Sequence, residues 1–252
     1  MRQSARIIAV AVLLIGVCRP LWAEQASAGA LSAAQKQEVE AAVREFILRN
    51  PEVLVESLTA YDTARRKAAE SNAAAAVAQN RDVLETGQHS PFAGNPKGDV
   101  TVVEFFDYRC GYCKRALPAM QELLKTDPGV RYVFKELPIL GPESVVASRA
   151  ALAVWTLAPE RYLPFHIALM EARGGLTDAR VVEIAKAQGI DVDRMKQVMA
   201  SAEIDGAIRQ TRDLAAKLGI QGTPAFVVGG KLVPGLVDLA TLRELVAAAR
   251  AG

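Results

Sequence analysis

The chain has 252 residues, 51% of them hydrophobic, and its 30 Lys and Arg against 28 Asp and Glu leave a formal charge of +2. So even a balance argues against a nucleic-acid binder, and three cysteines are too few for a small scaffold held by disulfides.

The first residues predict an export signal. Arg2 and Arg6 precede the apolar run Ile7 to Val17, and Leu21-Trp22-Ala23 ends in a small residue. The run is shorter than the roughly 20 apolar residues a spanning helix needs. Cleavage is expected after Ala23, with a site a few residues later as the alternative. Residues 1–23 carry Arg2, Arg6 and Arg19 and no acid, so the remainder is close to neutral. Cys18 leaves with this segment, and Val17 before it is not the small residue that lipid-anchor sites prefer. Cys110 and Cys113 are then the remaining thiols.

Residues 24–88 are predicted to form a helical arm. Ser32 and Gln35 have the spacing of a capping box. Val39, Val43, Phe46 and Ile47 follow helical spacing. Asn50-Pro51 reads as a fresh start, with Asn50 as N-cap and Pro51 at the first helical position. Leu54, Leu58 and Tyr61 make a narrow apolar stripe, and from Asp62 to Asn80 only Val77 offers a substantial apolar side chain. Such an arm cannot bury a core by itself. It either docks on the rest of the chain or meets copies of itself, and self-association is the preferred reading. The turn formers from Gly87 to Gly98 set the boundary of a second domain, residues 89–252.

That domain reads as α/β. Val100 to Phe106 is a β-branched and aromatic run, hence a buried strand. A helix over 111–125 follows, then a strand over Val130 to Glu136 in which Val130, Tyr132 and Phe134 alternate with Arg131, Val133 and Lys135. The unit implies a parallel pair with a right-handed crossover. Residues 142–218 contain no strand pattern and read as several helices, broken at Pro159, Pro164, Gly174-Gly175 and Gly189. A hairpin follows, Phe226 to Val228 and Lys231 to Val233 around Gly229-Gly230. Asp238 caps a last helix.

Cys110-Gly111-Tyr112-Cys113 sits where the first strand gives way to a helix. One helical turn brings the two sulfurs within disulfide range, and the helix N-terminus favours a thiolate on the first. Cys110 is the expected exposed nucleophile and Cys113 its shielded resolving partner. Two other uses of the pair stand beside redox chemistry. Zinc would need His89 and His166 as further ligands, and neither has ligand-like spacing to the cysteines. Two thiolates alone suit Cu(I).

The stretch Val103-Glu104-Phe105-Phe106-Asp107-Tyr108-Arg109-Cys110-Gly111-Tyr112-Cys113-Lys114-Arg115 resembles the active-site segment of the DsbA family. Within it, the suppressor of copper sensitivity protein C (ScsC) and Com1-like subgroup is most similar. Gly94-Asn95-Pro96-Lys97-Gly98-Asp99-Val100, Gly222-Thr223-Pro224-Ala225-Phe226 and Phe46-Ile47-Leu48-Arg49-Asn50-Pro51-Glu52-Val53 match in the same order.

The resemblance implies a thioredoxin fold with an all-helical insertion at about 142–218, preceded by an N-terminal helical oligomerisation arm. It implies a cis Thr223-Pro224 bond facing the dithiol, with Gly111, Tyr112, Thr223 and Pro224 shaping the substrate groove. It makes Glu104 the buried acid below the dithiol that shuttles protons from Cys113, and Lys135 its basic partner. Burial should raise the pKa of Glu104 and pairing with Lys135 should lower it.

The implied activity is periplasmic thiol–disulfide exchange at Cys110 and Cys113, with isomerase or reductase capacity and no cofactor beyond the redox-active disulfide. Partners would be exported proteins with cysteines, a membrane protein that resets the dithiol, and further copies of the chain, a trimer before a dimer. Gly111-Tyr112 departs from the Pro-His pair of the strongly oxidising members. A DsbA-like oxidase remains an alternative, as do a Cu(I)-binding copper-tolerance protein and a surface protein with a vestigial site.

Overall fold

The computed structural model describes residues 31–87 and 90–251. The export signal expected over 1–23 with Cys18, the first residues of the arm and His89 lie outside the described residues. The chain divides into two compact units between Ala60 and Tyr61.

In the first unit, helix α1 (Ala33–Arg49) opens on the expected capping box. Ser32 Oγ accepts from the Gln35 N–H at 3.3 Å, and Gln35 Oε1 accepts from the Ser32 N–H at 3.0 Å. Asn50 does not cap the following helix. It closes α1 instead, with its backbone N–H and its side-chain amide both donating to the Phe46 carbonyl, at 2.9 and 2.8 Å. Helix α2 (Glu52–Gln79) starts after Pro51. No residue of α1 is buried, and Val39, Val43, Phe46, Leu54 and Leu58 are all exposed. The apolar stripe is therefore formed and uncovered.

The second unit starts at Tyr61, earlier than the boundary expected at 87–98. Val77 of α2 and Leu84 of helix α3 (Arg81–Thr86) are buried in one cluster with Val103, Phe105 and Val133. These two side chains, with Ala76 and Val83 packed beside them, bind this Ala-rich stretch to the sheet.

The sheet comprises β1 (Phe92–Gly94), β2 (Val100–Phe106), β3 (Val130–Glu136), β4 (Ala225–Val228) and β5 (Lys231–Pro234), in the order β1-β3-β2-β4-β5. Strands β2 and β3 run parallel, joined by α4 (Gly111–Thr126), and the other pairs are antiparallel. Strand β1 falls in the segment read from sequence as turns. Three residues between prolines carry no periodicity, and its partner on β3 lies some 40 positions away. The β4–β5 turn is as expected: Gly229 and Gly230 have φ of 55° and 81°, a conformation that favours glycine.

Alternation divides the sheet into two apolar faces. Val102, Phe106, Val130, Tyr132, Phe134, Phe226 and Val228 pack with α4 and the insertion helices. Val103, Phe105, Val133, Ala225 and Val227 pack on the opposite side with Leu214, Ala215 and Leu218. The insertion consists of α5 (Pro142–Leu157), α6 (Pro159–Glu171), α7 (Asp178–Ala187), α8 (Val192–Met199) and α9 (Ala202–Lys217). Pro159 begins α6, but Pro164 lies inside it rather than breaking it. Burial of Tyr162, Phe165 and Leu169 outweighs the missing backbone bond. Helix α10 (Leu239–Ala251) closes the unit, with Asp238 Oδ1 accepting from the Thr241 N–H at 2.8 Å.

Candidate active site

Strand β2 ends in the turn Asp107–Arg109, and Cys110 is the N-cap of α4 with extended φ, ψ of −73° and 115°. The Cys110 N–H donates to the Asp107 carbonyl at 3.0 Å. The Asp107 carboxylate, fully buried, holds the surrounding loops. It accepts from the backbone N–H of Arg109, Ile139 and Leu140 at 2.7, 2.8 and 3.0 Å, and from Ser144 Oγ at 2.8 Å. Four such bonds to one carboxylate give the turn little freedom.

Both thiols are unbonded to each other. The Cys110 thiol donates to the Thr223 carbonyl at 3.2 Å, and the Thr223-Pro224 bond is cis. Cys110 is less open than the sequence suggested, at 7% accessibility, with the Thr223 carbonyl against its sulfur; Cys113 has 1%. Burial pushes the Cys113 thiol well above the usual range, and the nearby Glu104 charge pushes it further. Gly111 has open space where a side chain would stand. Tyr112 is exposed, with the Arg115 guanidinium 4.2 Å from its ring centroid.

Glu104, mid-strand on β2, is buried on the α4 face of the sheet. Its Oε2 accepts from the Tyr132 hydroxyl at 2.6 Å. Burial raises its pKa to about 7, against the smaller opposing effect of the Tyr132 hydrogen bond.

Lys135 is not the partner of Glu104. The parallel register sets Glu104 opposite Phe134 and Lys135 opposite Phe105, so the two side chains leave opposite faces of the sheet. Lys135 Nζ donates instead to the Val83 carbonyl at 2.6 Å and to Ser90 Oγ. Burial lowers its pKa to about 8, with the Arg131 charge adding to the effect.

Three features went unread in the sequence. Tyr132 faces Glu104, a relationship that the alternation of β3 already carried once the strands were paired. Asp107 is a loop anchor, for which an acid three residues before Cys110 gives no separate signal. Glu136, Tyr108, Tyr162 and His166 form a buried polar cluster drawn from three distant segments.

Residues 101–247 match the DsbA-like thioredoxin domain family. The chain belongs to that family. Residues 35–69 match the copper resistance protein ScsC N-terminal domain. The chain is 33% identical over 163 residues to Na(+)/H(+) antiporter NhaA 1 of Salinispora arenicola, but it spans only 24% of that protein's length. With thiol:disulfide interchange protein DsbA of Bordetella parapertussis it shares 30% identity over 148 residues, 56% of this chain and 68% of that one.

Among solved structures, a thioredoxin-like oxidoreductase from Silicibacter pomeroyi DSS-3 is 46% identical, with a TM-score of 0.66 over 69% of this chain and 99% of that one. A linker-deleted Proteus mirabilis ScsC is 32% identical, with a TM-score of 0.69 over 89% of this chain and 99% of the other. A periplasmic thioredoxin-like protein from Salmonella enterica serovar Typhimurium is 32% identical, with a TM-score of 0.64 over 68% and 96%. No helix among the described residues is long and apolar enough to cross a membrane.

Proposed function

We propose that this DsbA-family chain is a periplasmic protein thiol–disulfide oxidoreductase with isomerase and reductase capacity. The observation that carries the reading is the Cys110 thiol at the N-terminus of α4, directed at the Thr223 carbonyl beside cis Pro224. Cys110 Sγ, as thiolate, attacks a substrate disulfide and expels one substrate sulfur as thiolate. Cys113, after giving its proton to Glu104, attacks Cys110 Sγ and releases the second substrate sulfur. The substrate gains two electrons and the Cys110–Cys113 disulfide forms. Run backwards, the same steps oxidise a substrate dithiol; returned to the substrate before Cys113 attacks, they isomerise it. The electrons are carried by the two thiols, and no bound cofactor is required. Gly111, Tyr112, Thr223 and Pro224 line the place where the substrate chain lies.

The substrates are exported proteins with cysteines, and a membrane redox protein resets the dithiol. The match of residues 35–69 to the ScsC N-terminal domain and the uncovered Val39, Val43, Phe46, Leu54 and Leu58 support self-association through the arm. A trimer is the first choice and a dimer the second. The test is refolding of a substrate with scrambled disulfides. The unaltered chain should restore native pairing, and a full-length variant with Phe46→Glu and Leu58→Glu should be monomeric and keep thiol exchange but lose isomerisation. Isomerisation unaffected in a monomeric variant would refute the role of the arm. Oxidation without isomerisation in the unaltered chain would favour the DsbA-like oxidase.

The same N-terminal match favours one reading of another class, Cu(I) held by the Cys110 and Cys113 thiolates. Soft thiolate donors suit that ion. Titration with Cu(I), with Cys110→Ser as the control, separates a thiol site from none.

A further inference from the structure

The buried polar groups that the dithiol does not use gather at the end of β3. Glu136 is 2% exposed. Its Oε1 accepts from the Tyr108 and Tyr162 hydroxyls, both at 3.1 Å. The Tyr108 oxygen also lies 3.0 Å from His166 Nδ1, and the Tyr162 and His166 rings stack at 5.8 Å and 25°. Glu136 Oε2 and Ser148 Oγ are both buried, and Ser148 is a further polar side chain against Glu136.

Tyr108 has one hydroxyl hydrogen and two neighbours that compete for it. If it donates to Glu136, His166 must carry its proton on Nδ1 and donate to Tyr108; if it donates to His166, Glu136 must supply the other hydrogen. The second arrangement needs both a neutral ring and a neutral acid. Burial lowers the pKa of His166 to about 3 and raises that of Glu136 to about 8, the latter with a further push from the Asp107 charge. The groups facing Glu136 are Asp107 and Tyr108 from the turn, Ser148 from α5 and Tyr162 from α6, with His166 beyond them against Tyr108 and Tyr162. Phe106 meets the same His166 ring edge-on at 4.9 Å and Phe134 meets it tilted at 4.7 Å, on the face of the sheet that also carries Glu104.

We infer that Glu136 is a positioning residue for thiol exchange, tying Tyr108, and through it the turn that carries Cys110, to Tyr162 and His166 of the helical insertion. Tyr108 is two residues from Cys110, and the adjacent Asp107 carbonyl holds the Cys110 N–H. The point from which Cys110 Sγ reaches Thr223 is therefore held by side chains on a separate layer of the fold. Displacement of a reacting atom by about 1 Å can cost 100-fold in rate. The inference rests on Cys110 as the attacking thiol.

The test measures attack of the reduced full chain on glutathione disulfide, together with thermal unfolding of the same samples. Tyr108→Phe and Tyr162→Phe should each slow attack about threefold or more, and the double variant should be no slower than the worse single one. Tyr162 meets the turn that carries Cys110 through Tyr108, whether by way of Glu136 or of His166, so this non-additivity is the signature of one path through Tyr108. Glu136→Leu should be slowed and Glu136→Gln, which keeps an acceptor oxygen for both phenols, should recover most of the loss. If Glu136→Leu does not fold, the tyrosine pair still decides. Lower melting temperatures with unchanged attack rates would overturn the inference in favour of a purely structural cluster, and so would additive losses. An attack rate that survives Cys110→Ser would overturn the assignment of the thiol and the inference with it, a failure visible before any cluster variant is made.

Discussion

The Tyr132 hydroxyl donates to Glu104 Oε2 at 2.6 Å inside the core, so the group standing against the acid is a neutral phenol. A phenol stabilises a carboxylate by a hydrogen bond without supplying charge, and desolvation prevails. The outcome is a carboxyl whose pKa is about 7, beside a thiol pushed high by burial and by the Glu104 charge. An acid that changes protonation near neutrality is matched to accepting and returning a proton.

Replacing Glu104 tests this through stability. The folded state keeps the Glu104 proton up to about pH 7, whereas the unfolded chain releases it near 4.5. The group therefore costs nothing below pH 4.5 and a growing amount as pH rises to 7. Glu104→Gln should match the parent at pH 4 and be more stable by about 3 kcal/mol above pH 7. Urea unfolding of the reduced protein at both pH values measures the difference. An equal difference at both would exclude a titrating Glu104.

Tyr132→Phe removes the one interaction that lowers the Glu104 pKa. The ascending limb of the pH–rate profile for thiol exchange should move to higher pH. Stability should fall by about 1 kcal/mol, the usual net worth of one hydrogen bond. Stopped-flow exchange with a model disulfide across pH 5–9 reads the first effect and urea unfolding the second.

His166 works in the opposite sense. Its folded pKa of about 3 lies below the ordinary 6.5, so the unfolded chain binds a proton that the folded chain refuses. Stability is lost as pH falls through that window. His166→Gln should shift the acid-unfolding midpoint to lower pH, followed by near-ultraviolet circular dichroism. A midpoint unchanged within error would mean that other groups drive acid unfolding.

Lys135→Met should leave the pH profile of thiol exchange where it is, because Lys135 and Glu104 occupy opposite faces of the sheet. Its effect should appear in stability. The folded pKa of about 8 lies below the ordinary 10.5, so the buried amine destabilises the fold increasingly as pH falls from 10.5 to 8. The parent-minus-variant stability should thus be more favourable at pH 10.5 than at pH 7. A profile displaced in the same sense as that of Glu104→Gln would restore Lys135 to the site.

The sequence by itself determined whatever is written locally. Strands Val100–Phe106 and Val130–Glu136, the helix after Cys110, the hairpin glycines and the Ser32 and Asp238 caps all depend on periodicity or on neighbours within four residues. It also located the dithiol, since a Cys-x-x-Cys pair at a strand-to-helix junction needs nothing from afar. Tertiary structure decided what faces what. Lys135 stands apart from Glu104 because the parallel register, not the spacing along either strand, sends the two to opposite sides. Strand β1 exists only because β3 offers hydrogen bonds to it. Tyr132, Asp107 and Glu136 acquire partners from segments 26 to 37 residues away along the chain, and a buried carboxyl takes its protonation from those partners and from the absence of water, neither of which has a local signature.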